Sequence, residues 1–233
     1  MSRSNIWTQM LDLLWPPVCR ICGGPEGGMK ISVCNYCLAG LPKTLYHYWP
    51  ENPVSRVFYG RLPLVAATAF LNYNKNGATR KLIHEIKYNN GLCLGETLGM
   101  MLGNEISSLP FFREVEMVVP VPLAPKKLKI RGYNQCEYIA SGIAKAAGYN
   151  TAFNALIRNN YRGSQTKRNR IKRWENVKGS FEVAEPGSLY GKHILLVDDV
   201  ITTGATLEAC ASEILKVEKT KISIATLAYT KDR

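Results

Sequence analysis

No stretch of the 233-residue chain approaches the roughly 20 consecutive apolar residues that a membrane-spanning helix needs. The N-terminus also lacks the unbroken apolar core of a secretory leader. Ile6, Trp7, Met10, Leu11 and Leu14 are interrupted by Thr8, Gln9 and Asp12, which is amphipathic helical spacing. The nucleotide-binding pattern G-x4-G-K-[ST] is missing, which excludes a Walker-type ATPase. There is no internal repeat and no low-complexity tract, and only three histidines are present. Acids are the scarce charge: 18 Asp and Glu stand against 30 Lys and Arg, a formal net charge of +12. These absences leave a soluble globular protein, expected in the cytoplasm.

What is present agrees with that class. The chain is 46% hydrophobic and 21% charged, the balance of a folded domain. Its length suits one ordinary domain plus a small appendage. The positive excess is concentrated. Between Arg158 and Lys178 lie eight basic residues and a single acid, Glu175, which points to an anionic partner or to a solvated basic loop.

Four of the seven cysteines form C-x2-C-x11-C-x2-C over Cys19, Cys22, Cys34 and Cys37. A two-residue gap lets both sulfurs of a pair turn to one centre, so two such pairs make a tetrahedral zinc site. Gly23-Gly24-Pro25 and Gly27-Gly28 supply the turns, and no histidine lies near to offer a further ligand. A closed site of this kind is structural. An odd cysteine count with metal spacing also argues for a reducing compartment. Cys93 and Cys210 read as packing residues, and Cys136 follows a basic stretch.

The chain divides into a helix and zinc knuckle over 1–49, a linker over 50–63 marked by Pro53, Gly60 and Pro63, and a main domain over 64–233. In the main domain apolar, strand-like runs (Val65–Tyr73, Val115–Val121, Ile194–Val197, Ile222–Tyr229) alternate with helical patterns (Ala78–Tyr88, Leu94–Ile106, Asn134–Ala147, Ala205–Val217). That alternation predicts an α/β fold with a parallel sheet flanked by helices.

The most informative segment is His193–Thr206. An apolar strand ends in Asp198-Asp199, and Val200-Ile201-Thr202-Thr203-Gly204-Ala205-Thr206 then opens a helix. A helix N-terminus offers free backbone N–H groups and a positive dipole end to a phosphate. Gly204 and Ala205 allow close approach, and Thr202, Thr203 and Thr206 carry hydroxyl donors. Carboxylates repel phosphate, so Asp198 and Asp199 suit the hydroxyls of a ribose. The alternative, a strand–turn–helix without a ligand, leaves two acids at a buried strand end with no purpose.

This segment matches the phosphoribosyl-pyrophosphate (PRPP) motif of type I phosphoribosyltransferases, and the wider chain resembles their ComF branch of competence proteins. The four-cysteine knuckle carries the likeness, with Leu82–Tyr88, Val119–Leu123, Arg131–Gln135, Gln165-Thr166 and Arg173–Gly179. The resemblance implies a type I phosphoribosyltransferase-like fold that binds PRPP, or a related ribose 5-phosphate, with Mg2+. It implies that Asp198 and Asp199 hold the ribose hydroxyls and that Val200 and Thr202–Thr206 hold the 5-phosphate. The stretch after Val121, with Lys126, Lys127 and Arg131, would form a basic pyrophosphate loop, and Lys87 a phosphate contact, although Lys87 also reads as a favourable charge at a helix C-terminus. Arg168, Arg170 and Arg173 would reach pyrophosphate from a flexible loop, while Asn134 and Gln135 read equally as a helix cap. His84 and His193 read as ordinary residues.

Two functional classes stay open. One is transfer of a phosphoribosyl group to an unidentified acceptor. The other is a non-catalytic nucleic-acid-processing role on the same scaffold, served by the basic segment and by Tyr133, Tyr161 and Trp174. For either class the resemblance implies a part in DNA uptake during natural transformation, with single-stranded DNA and a helicase or recombination mediator as partners.

Overall fold

A computed structural model describes residues 18–25, 32–159 and 179–231. The helix expected over residues 6–14, the segment Gln165–Lys178, and Tyr161, Arg168, Arg170, Arg173 and Trp174 lie outside the described residues.

Five parallel strands form the main sheet: β1 (Ala66–Asn72), β2 (Met117–Pro120), β3 (Asn150–Thr151), β6 (His193–Ile201) and β7 (Lys221–Tyr229), in the order β1-β7-β6-β2-β3. A small antiparallel pair, β4 (Leu156–Arg158) and β5 (Phe181–Val183), stands apart. The predicted α/β class with a parallel sheet is thus present. β6 and β7 are buried almost throughout, as near-continuous apolar runs in a parallel sheet should be.

One face of the sheet is covered by α3 (Ala78–Tyr88), α4 (Leu92–Ile106) and α6 (Gln135–Ala147), with Leu82, Ile86, Leu98, Leu102, Ile139 and Ile143 buried against Leu195, Val197 and Leu227. The four-cysteine region and its short helix α1 (Asn35–Ala39) add Cys19, Val33 and Leu38 to the same core. The other face is covered by α2 (Pro53–Arg56) and α8 (Ala205–Ile214), where Val54, Phe58, Leu207 and Ile214 meet Ile194, Leu196 and Ile224. The remaining helices, α5 (Pro125–Arg131) and α7 (Pro186–Leu189), are short.

α4 and α6 cross with almost no gap. A Cβ on Gly142 would lie 2.1 Å from the Glu96 carbonyl oxygen, and one on Gly99 would lie 2.3 Å from that of Ile139. Only glycines permit that backbone approach. The outer edge of β1 is shielded by residues 42–52, through Thr44 N to Phe70 O (2.9 Å), Asn72 N to Pro42 O (2.8 Å) and Asn52 Nδ2 to Ala67 O (2.8 Å). Such cover removes a free sheet edge.

Two elements differ from the sequence reading. Residues 50–63, expected to hold little regular structure, carry α2, which Asn52 and Ser55 start with a reciprocal capping box. The prolines that suggested a linker fit because Pro53 sits in the first helical turn, where its missing N–H costs nothing. The basic stretch after β2, expected as a loop, is the helix α5, also started by a proline and ended at Gly132. It buries no residue, so it shows no apolar stripe by which a helix is recognised.

Candidate ribose-phosphate site

β2 and β6 are neighbours, yet the chain leaves them in opposite directions. From β2 it passes through α6 to β3 on one side, and from β6 through α8 to β7 on the other. α6 and α8 also lie on opposite faces of the sheet. Open α/β sheets bind ligands where the strand order reverses in this way, beyond the carboxyl ends of the strands. The pairing of β2 with β6 ends at Pro120 and Val197. The next residues of β6 are Asp198 and Asp199.

The two acids have different surroundings. Asp199 is buried, and both of its carboxylate oxygens are engaged: Lys87 Nζ lies 2.8 Å from Oδ1, and Gln135 Nε2 donates to Oδ2. Arg131 in turn donates to Gln135 Oε1, and its guanidinium stacks 5.1 Å above the Tyr88 ring. Asp198 accepts a hydrogen bond from its neighbour's backbone N–H (Asp199 N, 2.8 Å) and from the Cys136 thiol (3.3 Å). It also lines a small recess with residues 200–207. Asp198 is therefore the acid at the recess, and Asp199 ties β6 to α3 and α6.

Electrostatics follow from this crowding. Burial, then the adjacent negative charge of Asp199, pushes the Asp198 carboxyl up to about 7. Burial and the two carboxylates push the Cys136 thiol well above its ordinary value, so it stays a protonated donor. Burial alone would lower the Lys87 ammonium. The charge and hydrogen bond of Asp199, helped by Asp198, outweigh it and raise the lysine.

The recess itself is the loop between β6 and α8. Gly204 takes φ +74 as the N-cap of α8, a left-handed conformation, and a Cβ there would lie 2.7 Å from Val57 Cγ1 and 2.9 Å from Phe58 Cε1. α2 and the turn after it therefore mould the back of the loop. Arg61 fixes this contact by pairing with Glu208 in the first turn of α8. Thr202 and Thr203 are exposed, and Ala205 and Thr206 are half-buried at the helix start.

Of the residues singled out from sequence, Asp198, Val200 and Thr202–Thr206 share the recess. Lys87 and Arg131 stand beside the acids, with Lys87 facing Asp199 directly and Arg131 acting through Gln135. Lys126 and Lys127 are exposed on α5. Gln135 and Cys136 were not assigned a site role by sequence reasoning. Asn134 caps α6 by accepting from Cys136 N (3.1 Å) and also donates to Val121 O (3.1 Å), which fixes Gln135 and Cys136 at the end of β2. The signal that could have found them is their place at the start of a helix following a strand, where a parallel sheet directs its crossovers. Cys210 is buried as expected, whereas Cys93 is exposed. His193 bonds Ser223 Oγ at 2.9 Å.

The four knuckle sulfurs lie within 4.8 Å of one another, with Cys22 and Cys34 3.9 Å apart. Zinc–sulfur bonds of about 2.3 Å place tetrahedral sulfurs about 3.8 Å apart, so the set fits one ion. None of the four is in a disulfide. Burial and the neighbouring thiols push Cys37 up to about 12. Cys19 is also subject to burial, but backbone N–H groups nearby bring it down to about 6. Lys81 Nζ donates to Ile21 O at 2.7 Å, and Arg20 lies 3.6 Å from Glu85, which ties the knuckle to α3.

Residues 134–233 match the phosphoribosyl transferase domain family. Among relatives, the DNA utilization protein YhgH of Salmonella typhi is 24% identical over 205 residues, covering 85% of this chain and 84% of that protein. Competence protein ComFC of Streptococcus pneumoniae is 31% identical over 143 residues, or 61% of this chain and 59% of that protein. Competence protein F of Haemophilus influenzae is 26% identical over 151 residues, or 63% and 66%. The parallel sheet, the loop after β6 and the domain match define a protein of the phosphoribosyltransferase fold. Its curated relatives carry the names of competence and DNA utilization proteins. No described helix is long and apolar enough to cross a membrane.

Proposed function

We propose that the chain binds PRPP, or another ester of ribose 5-phosphate, at the β6–α8 loop and serves the uptake and use of DNA. The observation that carries the first part is the recess at the reversal of strand order, lined by Asp198 and residues 200–207. The second part rests on relatives named for competence and DNA utilization.

In this reading Thr202, Thr203, Thr206 and the N–H groups at the start of α8 hold the 5-phosphate. Asp198 accepts from a ribose hydroxyl, and Asp199, locked by Lys87 and Gln135, fixes the acid pair in position. Mg2+ would enter with the pyrophosphate and neutralise its charge. Residues of α5, with Arg131 foremost, supply further positive charge; Arg168, Arg170 and Arg173, outside the described residues, are the further candidates for the pyrophosphate. Phosphoribosyl transfer breaks the bond from C1 to pyrophosphate and forms one from C1 to the acceptor. Such chemistry depends on positioning and on stabilising developing charge.

Calorimetry with PRPP and Mg2+ tests the binding site. Heat is expected for the wild type and is expected to vanish in Asp198→Asn, and a wild type that gives none overturns the reading. Pyrophosphate release with a panel of nucleobases then separates transfer from binding alone. Loss of transformation in cells carrying Asp198→Asn tests whether the site serves DNA uptake.

A further inference from the structure

A cavity of about 480 Å3 opens between the cysteine knuckle and α3, and it shares no lining residue with the β6–α8 loop. Its walls carry Arg20 from the knuckle, Lys75 from the turn after β1, and Arg80, Lys81, His84 and Glu85 from α3. Among the described residues Glu85 is the one carboxylate lining it, and that acid is already engaged. Arg20 Nε lies 3.6 Å from Oε1, and Asn89 Nδ2 donates to Oε2 at 2.7 Å. Two of the cations are held in place by backbone carbonyls rather than by acids. Arg80 Nη1 donates to Lys75 O (3.1 Å), and Lys81 Nζ donates to Ile21 O (2.7 Å). Among the described residues, cations from three separate segments thus converge on one concavity with Glu85 as the only counter-charge.

The form of the cavity narrows the ligand. Its volume is that of small-molecule sites, which run from about 300 to 1,000 Å3. Non-specific single-strand binding relies on aromatic rings set along a charged groove. No Phe, Tyr or Trp lines this cavity among the described residues. We propose that it binds a compact polyphosphate, of the tripolyphosphate or nucleoside triphosphate class, at a site separate from the β6–α8 loop. Lys87, which faces Asp199, lies seven residues beyond Arg80 on α3, about 10 Å along the helix axis.

Calorimetry on the full chain at low salt tests this with inorganic tripolyphosphate, ATP and a 20-nucleotide single strand as probes. Tripolyphosphate is expected to bind the wild type with one site at this cavity. Its affinity should fall at least tenfold in the double variant Lys75→Ala/Arg80→Ala and stay unchanged in Thr203→Val, which alters only the β6–α8 loop. Lys75 and Arg80 are exposed, so the fold should survive, and circular dichroism checks it. Lys81→Gln is a second variant with the same expectation. ATP binding more tightly than tripolyphosphate assigns a nucleoside triphosphate, and equal affinity assigns the phosphate chain. No heat from tripolyphosphate overturns the proposal. So does affinity that survives both cavity variants, affinity lost only in Thr203→Val, or a site that takes the single strand and not tripolyphosphate. PRPP binding at the β6–α8 loop is measured separately, so failure of either reading leaves the other standing.

Discussion

Replacing Lys87 by Met should destabilise the protein in a manner that depends on pH. The ammonium lies 2.8 Å from Asp199 Oδ1, with side chains 23% and 8% exposed. With an effective dielectric of about 20, Coulomb's law gives about 6 kcal/mol at that separation. Desolvation of both groups offsets part of this, and removal of one partner from a buried pair typically costs about 3–5 kcal/mol. The lysine's partial exposure places the expected loss near the lower end, about 3 kcal/mol at pH 8. Lowering the pH should relieve it. Lys87 holds the raised Asp198 carboxyl down, so without the ammonium that carboxyl keeps its proton to higher pH than in the wild type, while carboxylates of the unfolded chain titrate near 4. Where the folded state binds more protons than the unfolded one, stability falls as pH rises, by up to about 1.4 kcal/mol per pH unit per proton. The variant should therefore lose stability towards alkaline pH more steeply than the wild type. Urea unfolding at pH 8 and pH 5.5, compared at equal m-value, reads both effects. A loss of about 3 kcal/mol that shrinks by half or more at pH 5.5 is expected, and Lys87→Arg should restore most of it. A loss below 1 kcal/mol at pH 8, or an equal loss at both pH values, refutes the reasoning.

Three other outcomes are expected. Asp198, raised to about 7, contributes stability that is lost as pH rises from about 4 through 7, so Asp198→Asn should flatten the urea midpoint against pH across that range. Gly204→Val meets Val57 and Phe58 and forces a positive φ on a branched residue, so a loss of about 2–4 kcal/mol in thermal unfolding is expected, with ribose 5-phosphate binding abolished. Elemental analysis should find one zinc per chain, and stripping it with a chelator should lower the melting temperature, as should Cys34→Ser; a metal-free preparation that melts at the same temperature contradicts a structural ion.

Much of the sheet was legible because its strands and helices obey different periods. The helix Ala78–Tyr88 was read with the bounds it has, since Leu82, Ile83 and Ile86 fall on one face. β6 was read as far as Val197, where apolar residues stop, but its backbone continues in register with β7 to Ile201. Strand geometry there is held by β7 and not by hydrophobicity, so the acids sit on the strand itself. α5 was hidden because it buries none of its residues and so carries no apolar stripe. The loop residues 202–206 were readable as a local pattern. The contacts that complete the acid pair were not, because Lys87, Gln135 and Cys136 come from α3 and α6, far away in the chain.

The contact of Val57 and Phe58 with Gly204 also has a temporal side. Arg61 and Glu208, which secure it, are 147 residues apart in sequence. At about 5–20 residues per second of synthesis, the early half of this contact waits roughly 7–30 s for its partner. Such distant pairings are slow to close, and the loop cannot take its shape before they do. A nascent or truncated chain that holds its knuckle but not α8 would thus have no recess at the β6–α8 loop, and any ligand bound there would report synthesis past Glu208 as well as folding.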